Sequence, residues 1–416
     1  MKRSMFGLKT AGVFYALGVL VVVLVILSAA AGRPFYLNPT NLANILDQTA
    51  WTGIVAVAMT MLLITGNFDL SVGSVAAFAG AMTMMVLDQV GAPGTIALVF
   101  GAGLIFGLIN GALVQYVGIN AFIVTLGTMT TIRGLVQILT DSRTVIAETT
   151  SQTLTPLQNS VWPFSNTLVL IMGAIVLGLG VLAYVRRGAG NKGLGGILAA
   201  AAGALFVVIG LLTSFSWPMT LPVLYLVAIT IAAWLFLRFT VFGRRWYAVG
   251  GNVEAAKLSG IHTDRYKIAG FCCTAIAASF IGILYGAEIK SVNPGTLSGL
   301  ELSVLAAAIL GGTSLNGGSG NPIKSVIGAL ILTTLTNGFN ILNLGATYQS
   351  FVVGLVIIGA AAIYTASRTG GGKRGGRLGR QRAATAAAAA AAAPTSQASA
   401  QVPEAPAGGS RPSDTP

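Results

Sequence analysis

Glu254, Ala255, Ala256 and Leu258 follow Asn252 in a stretch bounded by Gly250-Gly251 on one side and Gly260 on the other. The glycines break the chain, and Asn252 can cap a new helix by accepting an N–H of its first turn. Glu254 then falls in that turn, where the helix dipole favours a negative charge. Gly260 supplies the left-handed residue that ends such a helix. The chemistry on offer is docking: a short amphipathic helix either links its neighbours or inserts into a groove of a soluble partner. Two further glycine-rich breaks stand out, Gly66-Asn-Phe-Asp-Leu-Ser-Val-Gly-Ser74 and Leu310-Gly-Gly-Thr-Ser-Leu-Asn-Gly-Gly-Ser-Gly320. Each follows an apolar run. Backbone freed by a break in an apolar medium must be buried in protein or wetted by a cavity, so such breaks point to a pathway. Asp69, Ser71, Thr313 and Ser314 are the polar side chains they carry. Asp69 serves equally well as the cap of the next helix.

Polar residues inside apolar runs form a second group. Arg133 follows Thr125, Thr128, Thr130 and Thr131; it either snorkels to an interface or lines a path. Asn337 and Asn340 can bond across packed helices or meet a solute hydroxyl. Glu301 opens an apolar run, where capping is the simpler account. Other patterns are missing. Ile323 precedes Lys324-Ser325 where a phosphate-binding loop requires glycine, so the chain does not hold ATP in that way. The sole histidine, His262, has no second ligand nearby and implies no metal. Cys272 and Cys273 are adjacent in an apolar run, which suits packing. No chain of buried Asp, Glu and His suggests a proton relay.

The elements that position these residues follow from composition. Of the 416 residues 54% are hydrophobic and 8% charged, whereas a soluble domain carries about 25% charged residues. A bilayer is the fitting solvent, and spanning its hydrocarbon core takes about 20 apolar residues of helix. Such runs are predicted at 11–31, 45–65, 70–90, 94–116, 121–139, 166–185, 194–214, 219–238, 267–288, 300–315, 321–341 and 347–366. The predicted fold is therefore an all-α, polytopic transmembrane bundle of about twelve spans, with the tenth short enough to be a half-helix. The net charge of +13 does not indicate nucleic acid, because the basic residues cluster in short segments between apolar runs, as cytoplasmic loops do. With the N-terminus (1–10) inside, twenty of the twenty-four Lys and Arg fall on the cytoplasmic side, leaving Arg33, Arg143 and Lys290 outside and Arg133 within a span. Both termini are then cytoplasmic, the 239–267 loop faces the cytoplasm, and Asp141–Ser165 is an external loop. Residues 367–416, rich in Gly, Arg, Ala and Pro, read as a disordered cytoplasmic tail whose basic residues can rest on anionic lipid. The two glycine-rich breaks, each after an apolar run of similar length, also suggest a weak parallel internal repeat.

Against this background Glu254-Ala255-Ala256, with Gly260 after it, resembles the EAA-type coupling loop of ABC importer permeases, although the Ile-x-Leu-Pro ending of that motif is absent. The fuller segment Gly251-Asn-Val-Glu-Ala-Ala-Lys-Leu-Ser-Gly-Ile261, followed by Asp264-Arg265, is similar to the ribose/xylose branch of that family. So are Asp69-Leu-Ser-Val-Gly73 and Gly311-Gly-Thr-Ser-Leu315. The resemblance covers nearly all of 40–366. It implies a permease that does no covalent chemistry and works as a homodimer. ATP and Mg would sit on a separate ATPase subunit seated against the coupling loop, and an extracellular sugar-binding protein would deliver the cargo in a bacterial plasma membrane. Residues from about 145 to 235 add two spans that ribose permeases lack and xylose permeases carry. That, with Phe242-Gly-Arg-Arg-Trp-Tyr-Ala-Val-Gly-Gly-Asn252, implies xylose as cargo, with ribose or galactose as alternatives. From other classes, an ATPase-independent secondary transporter, a channel or a receptor remain alternatives.

Overall fold

The computed structural model describes residues 8–147, 162–164 and 217–344, with isolated positions between 174 and 207 and between 348 and 359. Within them the elements are α1 (Leu8–Ala30), α2 (Pro39–Ile64), α3 (Val72–Ala112) with a π-helical turn (Leu113–Val117), α4 (Ala121–Leu139), α5 (Leu221–Phe239), α6 (Val241–Gly251), α7 (Val253–Leu258), α8 (Thr263–Ile289), α9 (Leu300–Leu310) and α10 (Pro322–Ile341). Four strands of two or three residues interrupt the all-α plan. β1 (Val145–Ile146) pairs antiparallel with β4 (Ser291–Val292), and β2 (Trp162–Phe164) with β3 (Trp217–Met219). Among the described residues, six helical runs are long and apolar enough to cross a membrane. The expected spans at 166–185, 194–214 and 347–366, most of the 145–235 insertion and the 367–416 tail lie outside the described residues.

Helix starts follow local chemistry. Asn38 Oδ1 accepts the Asn41 N–H at 2.9 Å with Pro39 in the first turn, and Asn321 Oδ1 accepts the Ile323 N–H at 3.0 Å with Pro322 likewise placed. Proline suits that position because its missing N–H would have no helical partner there. The third and fourth expected spans are one helical run broken at Gly91, whose φ of 69° only glycine adopts cheaply, with Pro93 just beyond.

The centre of the bundle is the packing of α8 against both halves of α3, and small residues make it possible. A Cβ on Gly282 would overlap the Ala76 carbonyl and the Gly80 backbone; one on Gly107 would lie 2.8 Å from Cys272 Cα, and one on Gly111 3.0 Å from Ile268 Cα. Between membrane helices, backbones this close gain van der Waals contact that larger side chains would prevent. Cys272 is thus a packing residue beside Gly107, and both cysteines are free thiols.

The tenth expected span, 300–315, short enough in the sequence to be a half-helix, is one, and it ends earlier than the apolar run. α9 has 11 residues, about 16 Å of helix against a hydrocarbon core of about 30 Å. It begins beside the start of α3, where Glu301 Oε2 packs on Gly73, and runs antiparallel to α10, with Ala307 against Gly328 and Gly311 against Lys324. The rest of the crossing, from Asn293 to Gly299, is not helical. The two glycine-rich breaks therefore follow helices of unequal length, 26 residues in α2 against 11 in α9, which weakens the internal repeat expected from them.

Replacing Gly282 with valine should force α3 and α8 apart, and overpacking of this kind costs about 1–3 kcal/mol or more. The expected outcome is a clear drop in the thermal midpoint of detergent-purified protein. Gly127→Ala, where nothing lies within 4 Å of the added atom, should leave the midpoint unchanged.

Candidate functional site: the coupling junction and the cavity it reaches

The segment that carries the docking chemistry forms two helices. α6 is capped by Thr240, whose Oγ1 accepts the Gly243 N–H at 2.9 Å. α7 is capped by Asn252, whose Oδ1 accepts the Ala255 N–H at 3.0 Å. Glu254 lies in the first turn of α7 and Lys257 in its last, each on the side the dipole favours. Gly260, at φ 77°, follows the helix. Ala256 is buried, anchoring α7 to the protein. Glu254 and Ala255 are exposed and Leu258 is 91% exposed, so an apolar knob stands free at the tip of the helix.

What α6 touches gives α7 its mechanical reach. A Cβ on Gly250 would overlap the carbonyl oxygen of Ile64, the last residue of α2, and lie 2.7 Å from the Gly318 nitrogen. Gly318 N–H donates to that same Ile64 carbonyl at 2.9 Å. Trp246 Nε1 donates to Met61 O at 2.7 Å, and Tyr247 Oη to Gly320 O at 2.9 Å. Both glycine-rich breaks thus meet α6 at one end of the bundle, through backbone contacts that no side chain cushions. Burial pushes the Tyr247 hydroxyl's pKa up, so it stays a neutral donor.

Each break is also tied down internally. Asp69 is fully buried and accepts from Ser71 N (2.8 Å), Ser71 Oγ (2.6 Å) and Thr274 Oγ1 (3.1 Å). Asn110 Nδ2 donates to Ser71 Oγ at 3.0 Å, and Thr128 Oγ1 to Asn110 Oδ1 at 2.6 Å. Asp69 therefore both orders the turn into α3 and joins α3, α4 and α8. At the second break Thr313 and Ser314 are buried. Thr313 Oγ1 lies 3.3 Å from Ser325 Oγ, which lies 2.6 Å from Thr60 Oγ1 on α2. Ser314 closes the loop through its N–H to Ser319 O at 2.9 Å.

Arg133 has a definite task. Its Nη1 donates to Pro294 O at 2.7 Å and to Thr296 O at 2.8 Å, and the Glu301 carboxylate acts on it electrostatically. These carbonyls belong to the non-helical stretch ahead of α9, where unsatisfied backbone would otherwise be costly. Glu301 Oε1 accepts the Gly299 N–H at 3.1 Å, a capping bond at the start of α9.

A cavity of about 710 Å³ opens where this stretch meets α2 and α10. Its polar walls are Asp47, Gln48 and Thr52 from α2, Glu288 from the end of α8, Ser298 and Ser303 around the start of α9, and Thr333 and Thr336 from α10, with Trp51 as the aromatic surface. This volume is within the range of small-molecule sites, about 300–1,000 Å³. None of the residues singled out in the sequence as gate or pathway lines it. Asn337 Nδ2 instead donates to Asn41 Oδ1 at 2.8 Å, a bond between α2 and α10, and Asn340 is exposed. Asp47 and Gln48 escaped notice because a polar residue near the end of a span carries no signal. The threonines at 333 and 336 were the available clue, sharing one face at helical spacing.

Gly250→Ala should therefore reduce solute uptake by at least about tenfold, the effect of about 1.4 kcal/mol on the competent state, because only backbone could give way. Gly251→Ala, with nothing within 4 Å, should transport normally in the same uptake assay.

Comparison with known proteins agrees with this architecture. The family model described as "Branched-chain amino acid transport system / permease component" matches residues 41–361. The xylose transport system permease protein XylH of Escherichia coli (strain K12) is 33% identical over 349 residues, 80% of this chain and 86% of that one. The ribose import permease protein RbsC of Bacillus subtilis (strain 168) is 31% identical, covering 83% of this chain and 90% of its own, and RbsC of Escherichia coli (strain K12) is 32% identical, covering 83% and 91%. No solved structure gives a significant match. With its helical bundle, its multiple apolar spans and a match over most of its length, the chain belongs to this family of multi-pass membrane transport permeases.

Proposed function

We propose that the chain is the membrane permease of an ATP-driven monosaccharide importer, with xylose as its cargo. The observation that carries the reading is the junction at Ile64. The same helix pair that exposes Glu254 and Leu258 also presses Gly250 onto the end of α2, which walls the cavity, and onto the loop that joins α9 to α10. Xylose and ribose permeases are the relatives, at nearly equal identity, and ribose is accordingly the competing cargo.

In this mechanism a separate ATPase subunit, carrying ATP and Mg, seats against α7. Its closure moves α6, and α6 moves the end of α2 and the loop 311–320. The cavity between α2, α9 and α10 then switches from outward to inward exposure. Hydroxyl, carboxamide and carboxylate groups on its walls offer a sugar exchangeable hydrogen bonds, so the cargo is held without being trapped. The chain forms no bond to the sugar and does no covalent chemistry. An extracellular binding protein selects the sugar and biases the equilibrium through its own differential affinity for the two states. Two copies of the chain form one path, and both termini face the cytoplasm.

Glu254→Arg tests the coupling. The expected result is that the ATPase subunit no longer co-purifies with the chain and that xylose uptake is abolished while membrane insertion is normal. Retention of the ATPase by this variant would remove α7 as its docking helix, whereas failure of any ATPase to co-purify with the unaltered chain, or rapid pentose flux through vesicles containing the purified chain alone, would replace this reading with an ATPase-independent carrier. The ligand of the cognate binding protein decides between xylose and ribose.

A further inference from the structure

A second cavity, of about 300 Å³, lies between α6 and α8 and is lined by Phe242, Arg245, Trp246, Gly260, Ile261, His262, Arg265, Tyr266 and Ala269. Its walls combine two guanidinium groups with aromatic rings. No carboxylate lines it among the described residues. Among the described residues neither Arg245 nor Arg265 has a side-chain hydrogen bond or ion pair, and both are exposed. The rings are held in place: Trp246 packs edge-on to Tyr266 at 5.7 Å and to Phe236 at 5.8 Å, and its Nε1 is fixed by Met61 O. The cavity is thus a rigid aromatic recess with two uncommitted arginines beside it.

Its depth is set by its neighbours. α5 ends at Phe239, and the residues that follow leave apolar side chains in the open: Phe239 is 64% exposed, Val241 50% and Phe242 59%. A water-facing loop does not present such a row. At the end of a spanning helix it meets the first methylenes of the acyl chains, while tryptophan and tyrosine occupy the headgroup level. Arg245 lies one turn of α6 beyond Phe242 on the same side of the helix.

We infer that this recess binds the headgroup phosphate of an anionic phospholipid of the cytoplasmic leaflet, with Arg245 and Arg265 as its charged partners and the acyl chains lying along Phe239, Val241 and Phe242. Arginine suits phosphate because its planar fork can donate two parallel hydrogen bonds, and basic recesses at this depth attract anionic headgroups. The recess also includes Gly260, Ile261 and His262, the link between α7 and α8. A bound lipid would therefore brace the base of the helix assigned to the ATPase. The binding itself does not depend on that assignment.

The test is native mass spectrometry of the purified full chain titrated with dioleoyl phosphatidylglycerol or dioleoyl phosphatidylcholine. The expected result is one phosphatidylglycerol retained in preference to phosphatidylcholine, with retention weakened at least about tenfold in Arg245→Gln/Arg265→Gln. It should be unchanged in Arg244→Gln, whose side chain is exposed but outside the recess. Equal retention of the two lipids, or equal weakening by Arg244→Gln, would leave only diffuse surface charge and overturn the site. Inorganic phosphate retained by lipid-free protein in an Arg245- and Arg265-dependent way would assign the recess to a soluble anion instead. Normal phosphatidylglycerol retention with loss of ATPase co-purification in the double variant would assign the arginines to the protein partner.

Discussion

The carbonyl oxygen of Ile64 is the point on which the rest of the structure turns. It is the last residue of α2, and its carbonyl is one of those the helix leaves unsatisfied. Gly318 N–H fills that need at 2.9 Å, and Gly250 closes over it with no room for a side chain. Three segments far apart in the chain are thereby held backbone to backbone. Side-chain contacts can absorb displacement by changing rotamer, but backbone contacts cannot, so a push on α6 arrives at α2 and at the 311–320 loop nearly undiminished. The surrounding bonds, Trp246 to Met61 and Tyr247 to Gly320, act in the same direction. Each ties an α6 ring to backbone on one of the two partners.

How much of this was legible in the sequence depended on range. Local chemistry could be read directly: Asn252 as a cap, Gly260 as a terminator, and Glu254 on the exposed side of a short helix all follow from spacing within one turn. The separate identification of both glycine-rich breaks was also sound, because a break in an apolar run is a local event. That the two breaks meet at Gly250 was not legible, since nothing in either word encodes the other's position. That α9 is a half-helix was readable from the shortness of its run, but where it ends was not. The small, weakly polar residues after Leu310 continue the hydropathy of the helix, so an apolar count extends the span to 315 whereas the backbone turns at Gly312, where φ is 84°.

Arg133 and the cavity show the same limit from the other side. The arginine was recognisable as anomalous, but its partners are main-chain carbonyls 161 and 163 residues away, and a carbonyl has no residue type to search for. The cavity walls come from α2, α10, the end of α8 and the start of α9, each contributing polar groups that alone look like span ends or ordinary helix threonines. Asn337, the more conspicuous residue, turned out to bond Asn41. In an apolar bundle the eye-catching polar residue is often one whose bonds are already satisfied inside the protein. A residue that meets a transient solute needs only enough polarity to exchange hydrogen bonds with it.

The distribution of directional bonds divides the bundle mechanically. Asp69, Ser71, Asn110, Thr128 and Thr274 knit α3, α4 and α8 into one polar network. Thr60, Ser325 and Thr313 do the same for α2, α10 and the loop between α9 and α10, with Thr49 and Thr333 adding a second tie between α2 and α10 at 2.5 Å. Between the groups, the contact of α2 with α8 includes Leu62 against Gly270, an apolar fit against a residue without a side chain, and the edge-on rings of Trp51 and Tyr285. Hydrogen bonds in a dry interior are lost abruptly when their geometry fails, whereas an apolar surface over glycine loses only a few weak contacts as it slides. Relative motion should therefore concentrate along that seam, with the Arg133 bonds from α4 to Pro294 O and Thr296 O, ahead of α9, as a directional tie across it. The Ile64 junction sits on the α2 side of the seam, so a displacement entering through α6 reaches α2 and the loop between α9 and α10 first, and the cavity, walled by α2, α9 and α10 on one side and by Glu288 of α8 on the other, lies across that seam.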